Sequence, residues 1–411
     1  MIIIGGGISG LVAARRLSIN YEITILEALP RFGGRIYTLN KNEMPAKIEA
    51  GAEFVHGEAV ETIKLLQEAG ITFAKTEGDF YSKKGNFLKK DDRSDNGWDF
   101  LLEKMGTITA DITLQEFLKL YFSEPQFEDL CQQAISFAQG FDLADIDKVS
   151  VKSLYQEWAN QSEDYRINGG YGQLVGFLVN SCIEKGCTLI ANAEVKKIRW
   201  KKGNVEILTI NETLYKADQC LITVPLGILQ KGILGKNFEP AIADYIAAAQ
   251  QIGFGSVLKV ILSFKQQFWQ DGAAFFLSNE EIPTWWTQFP ALTPILTGWA
   301  GGPKAVVLST FSKEEIIEKA IDSLSMIFKL SKEDLKKAIT GCEVFNWHLE
   351  PSFLGAYSYA TPETAAALEI LRQPIQNTLF FAGEAMYSGP NPGTVEAAIV
   401  SALQAAESLL K

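Results

Sequence analysis

The 411 residues are 47% hydrophobic and 21% charged, an ordinary globular balance with enough chain for two or three domains of roughly 150 residues each. A formal charge of -11 argues against a nucleic-acid partner, which selects a basic face, and is compatible with a cationic small molecule. No stretch of about 18 apolar residues is free of charge and no basic segment leads into an apolar one, so neither a membrane span nor a secretory signal is expected, and the expected location is the cytoplasm.

The chain opens with strand, glycine turn, helix and strand: Met1 to Ile4, then GGGISG, then LVAARRL with apolar residues at helical spacing, then EITILE. Gly5, Gly7 and Gly10 fit GxGxxG. The first permits the tight turn, the second lets backbone approach a pyrophosphate, and the third lets helix and strand pack closely. Unpaired amides at the helix start, near Ser9, would then face phosphates. Glu27 ends the second strand, where a carboxylate can accept hydrogen bonds from a ribose. Together these predict dinucleotide binding in a Rossmann-like α/β fold.

Polar, mostly helical sequence is predicted from about 58 to 165. Strand-like runs follow at TLIANAEVKKIRW, NVEILTI, QCLITVP and VLKVILSF, with Lys202, Gly203 and Asn204 turning the chain between two of them. An apolar strand, TLFFAGE, and a helix beginning near Gly393 close the sequence. No Pro/Gly/Ser-rich linker divides the chain, which predicts interleaved domains. Five cysteines, Cys131, Cys182, Cys187, Cys220 and Cys342, are odd in number and contain no CxxC, which fits a reduced compartment. The two histidines, His56 and His348, lie near no cysteine, so no metal site is expected.

The choice between NAD and FAD turns on the next stretch. In ALPRFGGRIYT, Gly33 and Gly34 are flanked by Arg31 and Arg35, which would give close backbone approach and a guanidinium for the pyrophosphate. IEAGAEFVHG follows. Here the sequence resembles the flavin-dependent amine oxidases, the group that contains monoamine and polyamine oxidases, and GAEFVHG is most similar to the polyamine oxidase branch. The resemblance runs nearly the full length, through RINGGYGQLV, AEVKKI, ADQCLITVPLGIL and FAGEAMYSGPNPGTVEAAIVSAL. It implies FAD as cofactor. It also implies that Ala28, Gly51, Ala52, Glu53, Phe54 and Gly383 line the cofactor, with Val195 packed by its backbone against adenine. Residues 75 to 135 and 275 to 340 carry nothing specific to the family, and substrate preference is expected there.

Glu384 ends a buried strand and can accept a ribityl hydroxyl. Gly393, Thr394 and Val395 open a helix whose free amides would stabilise negative charge at one edge of a flavin. In GSVLKVILSF, both faces of the strand look buried, so Lys259 is an ammonium in an apolar setting. Snorkelling from a strand end would explain it. The resemblance instead implies a lysine that holds a water against flavin N5 and assists reoxidation from a partly desolvated site. It likewise places Trp347 and Tyr357 as aromatics around the substrate amine.

Two departures matter. Ala356 stands where covalently flavinylated monoamine oxidases have cysteine, which implies noncovalent FAD. Thr394 stands where they have a second cage tyrosine, leaving Tyr387 or Trp347 to complete the cage. His56 is implied in contact with substrate or flavin, with a buried structural histidine as the alternative. Glu53, Glu58, Asp142, Asp145 and Asp147 could attract a polyamine's distal ammonium, or be solvated or capping residues. His348 is assigned to structure.

The resulting expectation is an α/β flavoprotein. Its FAD-binding domain comprises 1–57, 165–235 and 375–411, and its substrate domain, a mixed sheet with helices, comprises 58–164 and 236–374. It would oxidise a primary or secondary amine to an imine with O2 as acceptor, acting as a monomer or homodimer. The alternatives are an L-amino acid oxidase, which would need an arginine for the carboxylate, a carotenoid-type desaturase, and a structural or electron-carrying flavoprotein.

Overall fold

The computed structural model describes residues 1–91, 97–160, 163–232 and 237–410. The expected boundary at 235 and residue 411 lie outside them. Five short strands, in the order Thr188–Ile190, Thr24–Leu26, Ile2–Ile4, Cys220–Ile222, Leu379–Phe381, form one parallel sheet. Their sequences are nearly all apolar because both faces are covered. Ile3, Ile25, Leu221 and Phe380 face helices Ile8–Leu17, Gly172–Glu184 and Val395–Leu409. Ile2, Ile4, Leu26, Cys220, Ile222, Leu379 and Phe381 face the other way, toward the sheet ordered Leu214–Ala217, Asn204–Thr209, Val195–Lys201, Phe238–Glu239. The strand order puts the N-terminal strand in the middle, so its glycine turn emerges between strands contributed by distant parts of the chain.

The larger sheet is mixed and seven-stranded: Ile339–Asn346, Val257–Phe264, Ile295–Gly301, Thr284–Trp286, Ala273–Leu277, Asp79–Lys84, Phe87–Lys90. All neighbours are antiparallel except Ala273–Leu277 with Asp79–Lys84. Helix Lys313–Phe328 covers one face through Ile316, Ala320, Ile321, Leu324 and Ile327. Helices Trp98–Gly106, Leu114–Tyr121, Glu128–Gly140 and Val151–Ala159 make a separate apolar cluster.

The expectation of mostly helix over 58 to 165 needs correction at its start, where Phe73–Lys75, Asp79–Lys84 and Phe87–Lys90 are strands. The last two form a hairpin turned at Gly85, whose φ is +60°. Both are lysine-rich because the second is an outer strand with exposed positions, and that polarity hides the two-residue period. Strand Tyr165–Ile167 pairs with Phe54–Val55 and with Phe73–Lys75, so a separate three-stranded sheet ties the stretch after the glycine turns to two later segments. A second inter-segment tie runs through Glu396, whose buried carboxylate accepts from the Glu61 and Thr62 amides at 2.9 and 2.7 Å and caps helix Val60–Glu68 from the C-terminal helix.

Candidate active site

A cavity of about 1420 Å³ runs from the glycine turn to the face of the large sheet. At one end Gly5, with φ +106°, ends the first strand, and Gly7 begins helix Ile8–Leu17 with no side-chain cap. A Cβ on Gly10 would stand 2.0 Å from the Gly5 carbonyl oxygen, which is why helix and strand can close on one another only with glycine there. Gly10 is thus behind the cavity wall, while Gly5, Gly7 and Ser9 are on it. The Ser9 hydroxyl is buried without a hydrogen-bond partner. An orphaned hydroxyl and uncapped helix amides facing one space suit an oxygen-rich anionic ligand.

Glu27 lines the cavity and accepts from the Gly6 amide at 2.6 Å and the Leu29 amide at 2.8 Å. Burial raises its pKa, with those amides and Arg31 pulling against it. Gly34 abuts the glycine turn, a Cβ on it falling 3.2 Å from the Gly7 Cα, and a Cβ on Gly51 would overlap the Arg35 carbonyl oxygen at 1.8 Å. Arg35 donates to the Ala356 carbonyl at 2.5 Å and to Glu384 Oε1 at 2.8 Å. Glu384 Oε2 accepts from Ser358 Oγ at 2.6 Å, so this carboxylate is already engaged by protein groups as it faces the cavity. Thr394 Oγ1 caps the C-terminal helix by accepting from the Ala397 amide at 3.1 Å. Ala28, Ala52, Phe54, Val195, Gly383, Thr394 and Val395 all line the space.

Arg31 does not. Its guanidinium donates to the Gly34 carbonyl at 2.8 Å and lies 3.8 Å from the Tyr37 ring centre, contacts that brace the loop. Tyr387 is not among the residues that line the cavity.

At the other end the side chains change character. Lys259 is 1% exposed in a strand buried along its whole length. Its Nζ donates to the Glu49 carbonyl at 2.7 Å, the Gly51 carbonyl at 3.1 Å and Glu53 Oε2 at 2.7 Å. Glu53 Oε1 accepts from Arg166 Nη2 at 3.1 Å and Trp286 Nε1 at 3.0 Å. Burial pushes the Glu53 carboxyl up, but Lys259 and Arg166 outweigh it and the group lies below its ordinary value. At Glu49 burial outweighs the Thr38 and Tyr171 hydrogen bonds and the pull of Lys259, and carries its carboxyl to about 7.

Trp347 lines the cavity with Nε1 donating to the Ala50 carbonyl at 2.9 Å. The Tyr357 hydroxyl donates to the Phe141 carbonyl, and burial, reinforced by Asp142 and Glu157, keeps the phenol protonated. Asp142 and Glu157 are in contact. Burial and mutual repulsion raise Asp142 well above its usual range, and burial takes Glu157 to about 7, so the pair retains a proton near neutrality. Asp142 also accepts from Trp158 Nε1 at 3.0 Å.

His56 is half-exposed on the wall and shares a hydrogen bond of 2.9 Å with Asp164 through Nδ1. Desolvation lowers its pKa and Asp164 raises it by more, a net upward shift. It is not the buried structural histidine of the alternative reading. Glu58, Asp145 and Asp147 lie off the cavity, Asp145 pairing with Lys148. His348 shares a bond with Ser256 Oγ at 2.7 Å and is also off it.

Sequence reasoning missed Trp286, Trp299, Phe275, Glu157 and Asp164 on the cavity wall, and Arg166 behind Glu53. A signal existed for the tryptophans. In TWW, Trp285 is in the core, so alternation sends Trp286 to the opposite face, and Trp299 stands across from Lys259 in the antiparallel register. Among the described residues none of the five cysteines lines the cavity, which fits a cofactor held without a thioether link. No described helix is long and apolar enough to cross a membrane.

Comparison with known proteins bears on what the cavity holds. The family described as flavin containing amine oxidoreductase matches residues 8–410. Polyamine oxidase 4 of Oryza sativa subsp. japonica is 26% identical over 458 residues, covering 100% of this chain and 88% of that protein. Lysine-specific histone demethylase 2 of Homo sapiens is 27% identical over 451 residues, covering 100% of this chain and 53% of its own length. Among solved structures, a wild-type putrescine oxidase bound to putrescine superposes with a TM-score of 0.81 at 17% identity, covering 100% of this chain and 98% of the other. Cyclohexylamine oxidase from Brevibacterium oxydans IH-35A superposes with 0.81 at 19% identity, covering 99% and 98%.

Proposed function

The chain belongs to the flavin containing amine oxidoreductases, and from that premise we propose that its substrate is an amine with a second positive charge, a diamine or polyamine, and that O2 accepts the electrons. FAD, when bound, supplies the two-electron acceptor for cleavage of the carbon-hydrogen bond beside nitrogen. In net terms the amine loses two electrons and two protons to give an imine. Water adds to the imine carbon and the carbon-nitrogen bond breaks, releasing an aldehyde and the nitrogen as ammonia from a primary amine or as a smaller amine from a secondary one. O2 takes up the two electrons and two protons as H2O2.

The chain's own contribution is binding, orientation and electrostatics. Gly5, Gly7, Ser9 and Glu27 would hold the nucleotide half of FAD, and the Thr394–Val395 helix start would favour negative charge near it. Trp286, Trp299, Trp347 and Tyr357 narrow the space beside Lys259 and exclude water from the reacting carbon. Their faces also attract an amine's partial or full positive charge.

The observation that carries the substrate reading is the acidity of the far end, where Glu77, Asp91, Asp99, Asp142, Glu157, Glu163 and Asp164 line the cavity and Lys75 and His56 are the facing bases. A monoamine has no use for such a field, whereas a distal ammonium does. The only arginine on the described lining, Arg35, is held by Glu384 and Ala356, which disfavours an amino acid substrate with a carboxylate to clamp. The parallel sheet supports assigning cofactor binding to segments within 1–57, 165–235 and 375–411, while strand Phe238–Glu239 joins the sheet packed against it, beyond the proposed boundary.

Mixing the yellow protein with spermidine, putrescine, benzylamine and leucine in the absence of oxygen tests this. Bleaching by spermidine or putrescine is the expected result. Bleaching by benzylamine alone or leucine alone overturns the dication reading, and no bleaching at all overturns the oxidase.

A further inference from the structure

The strands of the large sheet turn one row of side chains into the core beneath helix Lys313–Phe328 and the other toward the cavity. Tyr81, Phe276 and Trp285 belong to the first row, and Phe80, Phe275, Leu277, Trp286 and Trp299 to the second. A sheet face turned toward accessible space is ordinarily polar. This one is aromatic and aliphatic, and Lys259 is the only charged side chain that the strands of this sheet contribute to the described lining. The rings touch one another in series. Trp299 and Trp286 have centres 5.6 Å apart, Trp286 and Phe275 6.1 Å, and Phe275 and Phe80 4.7 Å with planes only 14° from parallel. The indole N–H groups are already bonded to protein, Trp299 to the Gly140 carbonyl at 2.9 Å and Trp286 to Glu53 at 3.0 Å, so the wall offers apolar surface.

The wall starts at Lys259, whose Nζ is 5.3 Å from the Trp286 ring centre, and leads away from the nucleotide end. In the order of the sheet Phe275 stands three strands beyond Lys259 and Phe80 four, about 14 and 19 Å at the ordinary strand spacing. The glycines and the 383–395 segment that bound the cofactor end belong instead to the parallel sheet and the C-terminal helix, so the outer part of the wall faces substrate space. Beyond Phe80 the lining turns polar at Lys75, Glu77 and Asp91, which gives the apolar stretch a definite length. The carboxyl pair Asp142 and Glu157 comes from the helical side. Trp299 joins the two sides, its indole bonded to the last residue of helix Glu128–Gly140.

We propose that this wall is a subsite for an apolar chain borne by the substrate, so that the preferred amine carries a long alkyl or arylalkyl group on the reacting nitrogen, laid along the sheet, as well as a distal ammonium directed at Asp142 and Glu157. The proposal rests on the oxidase reading above and deepens it by naming the second arm of the substrate. A diamine of putrescine size, stretched from Lys259 toward the carboxyl pair, would leave Phe275 and Phe80 uncovered. Contiguous apolar surface inside a cavity, rimmed by polar residues, is the mark of a ligand group. Methylenes laid against it leave water for ring faces, and no polar group is stranded because neither side brings one.

The test compares secondary amines in anaerobic flavin reduction by the holoenzyme: N-methylputrescine with N-octylputrescine, and N-methylbutylamine with N-octylbutylamine, each read as the concentration giving half the limiting rate. Octyl in place of methyl should lower that concentration by about tenfold or more in both pairs. Phe275→Ala should cut the octyl preference to about threefold or less, a ratio taken within the one variant so that general damage cancels. Phe137→Ala, which removes a ring lining the helical side, should keep the wild-type ratio. A wild-type preference below about twofold overturns the proposal. So does a preference that survives Phe275→Ala, or one that Phe137→Ala removes as well, because the chain would then bind without the sheet or along the helices. Should Phe275→Ala fail to retain FAD, Phe80→Ala, which removes the ring stacked on Phe275, decides by the same criterion. The distal-charge reading is judged separately, by N-methylputrescine against N-methylbutylamine, and its failure leaves the octyl effect to be read in the butylamine pair. Reduction by none of the amines overturns the oxidase and this subsite together.

Discussion

The two ends of the cavity are built by different means. At the nucleotide end the work falls to backbone: glycines that let chain segments touch, helix starts with free amides, and carboxylates, Glu27 and Glu384, that organise loops before they meet any ligand. At the substrate end the backbone is ordinary sheet and helix, and side chains make the site: four aromatic walls, a buried ammonium with its counter-ion, and a pair of carboxyls sharing a proton. The first end should therefore fail sharply when a single methyl group is added. The second should degrade gradually and selectively.

The largest effect is expected from Gly10→Ala. The new Cβ would stand 2.0 Å from a backbone oxygen that cannot swing away, so the glycine turn must open. A cost of about 3 kcal/mol in stability and loss of most bound flavin are expected, measured by thermal unfolding and by the ratio of flavin to protein absorbance. Retention of full flavin content would show that the turn tolerates rearrangement and that the contrast between the two ends is overdrawn.

Glu49 joins the two ends, since its carboxylate holds Thr38 and the Tyr171 amide while its carbonyl holds Lys259. Burial raises its carboxyl from 4.5 to about 7 in the folded protein. A folded-state value above the unfolded one means that the proton is bound more tightly by the native state. That contribution is fully present below about pH 4.5 and is lost as pH rises through about 7. Glu49→Gln removes the ionisation, so the variant should gain on wild type by about 2 kcal/mol between about pH 5 and about pH 8, read by denaturant unfolding at each pH. A difference that stays constant across that interval would mean that the carboxyl ionises freely, with Lys259 compensating it as Glu53 is compensated.

The same division explains what could be read from the chain. Gly5, Gly7, Gly10 and Glu27 were legible because the glycine spacing stood between an apolar strand and a helical run with an acid ending the next strand, and the strand, helix and strand around them folded accordingly. Lys259 was legible because an ammonium inside an apolar strand breaks the pattern around it. Its partner was not: Glu53 lies 206 residues away, and only the three-dimensional path brings them to 2.7 Å. Glu157 and Asp164 read as ordinary helix and loop acids, since nothing in EWANQSEDY distinguishes a carboxylate facing a cavity from one facing water. Arg31 was read from its place in the motif alone. Its position beside the glycine pair suited a phosphate, and the sequence held no sign of the contacts the fold gives it, the Tyr37 face and two loop carbonyls. The strands at 79–90 were hidden by the lysines that protect the sheet's outer edge.

The smallest effect is expected at the carboxyl pair, and it is the most informative about substrate. With Asp142 keeping a proton and Glu157 ionising near 7, a second ammonium entering the far end meets a neutral pair at pH 6 and an anion at pH 8. Burial raises Glu157, so deprotonation is the state that an arriving cation must favour, and affinity for a dication should rise with pH through about 7 by roughly tenfold, about 1.4 kcal/mol. Glu157→Gln should remove that rise and leave the affinity for a monoamine within about twofold of wild type, because nothing at the reacting end has changed. Flavin spectral shifts on titration with putrescine and with benzylamine, at pH 6 and pH 8 under anaerobic conditions, give all four affinities. If Glu157→Gln weakens both amines alike, the pair shapes the cavity and selects no charge. If it weakens neither, the acidity of that end has a purpose other than holding substrate, and the far end would be a passage for amines, with selection resting on the aromatic walls beside Lys259.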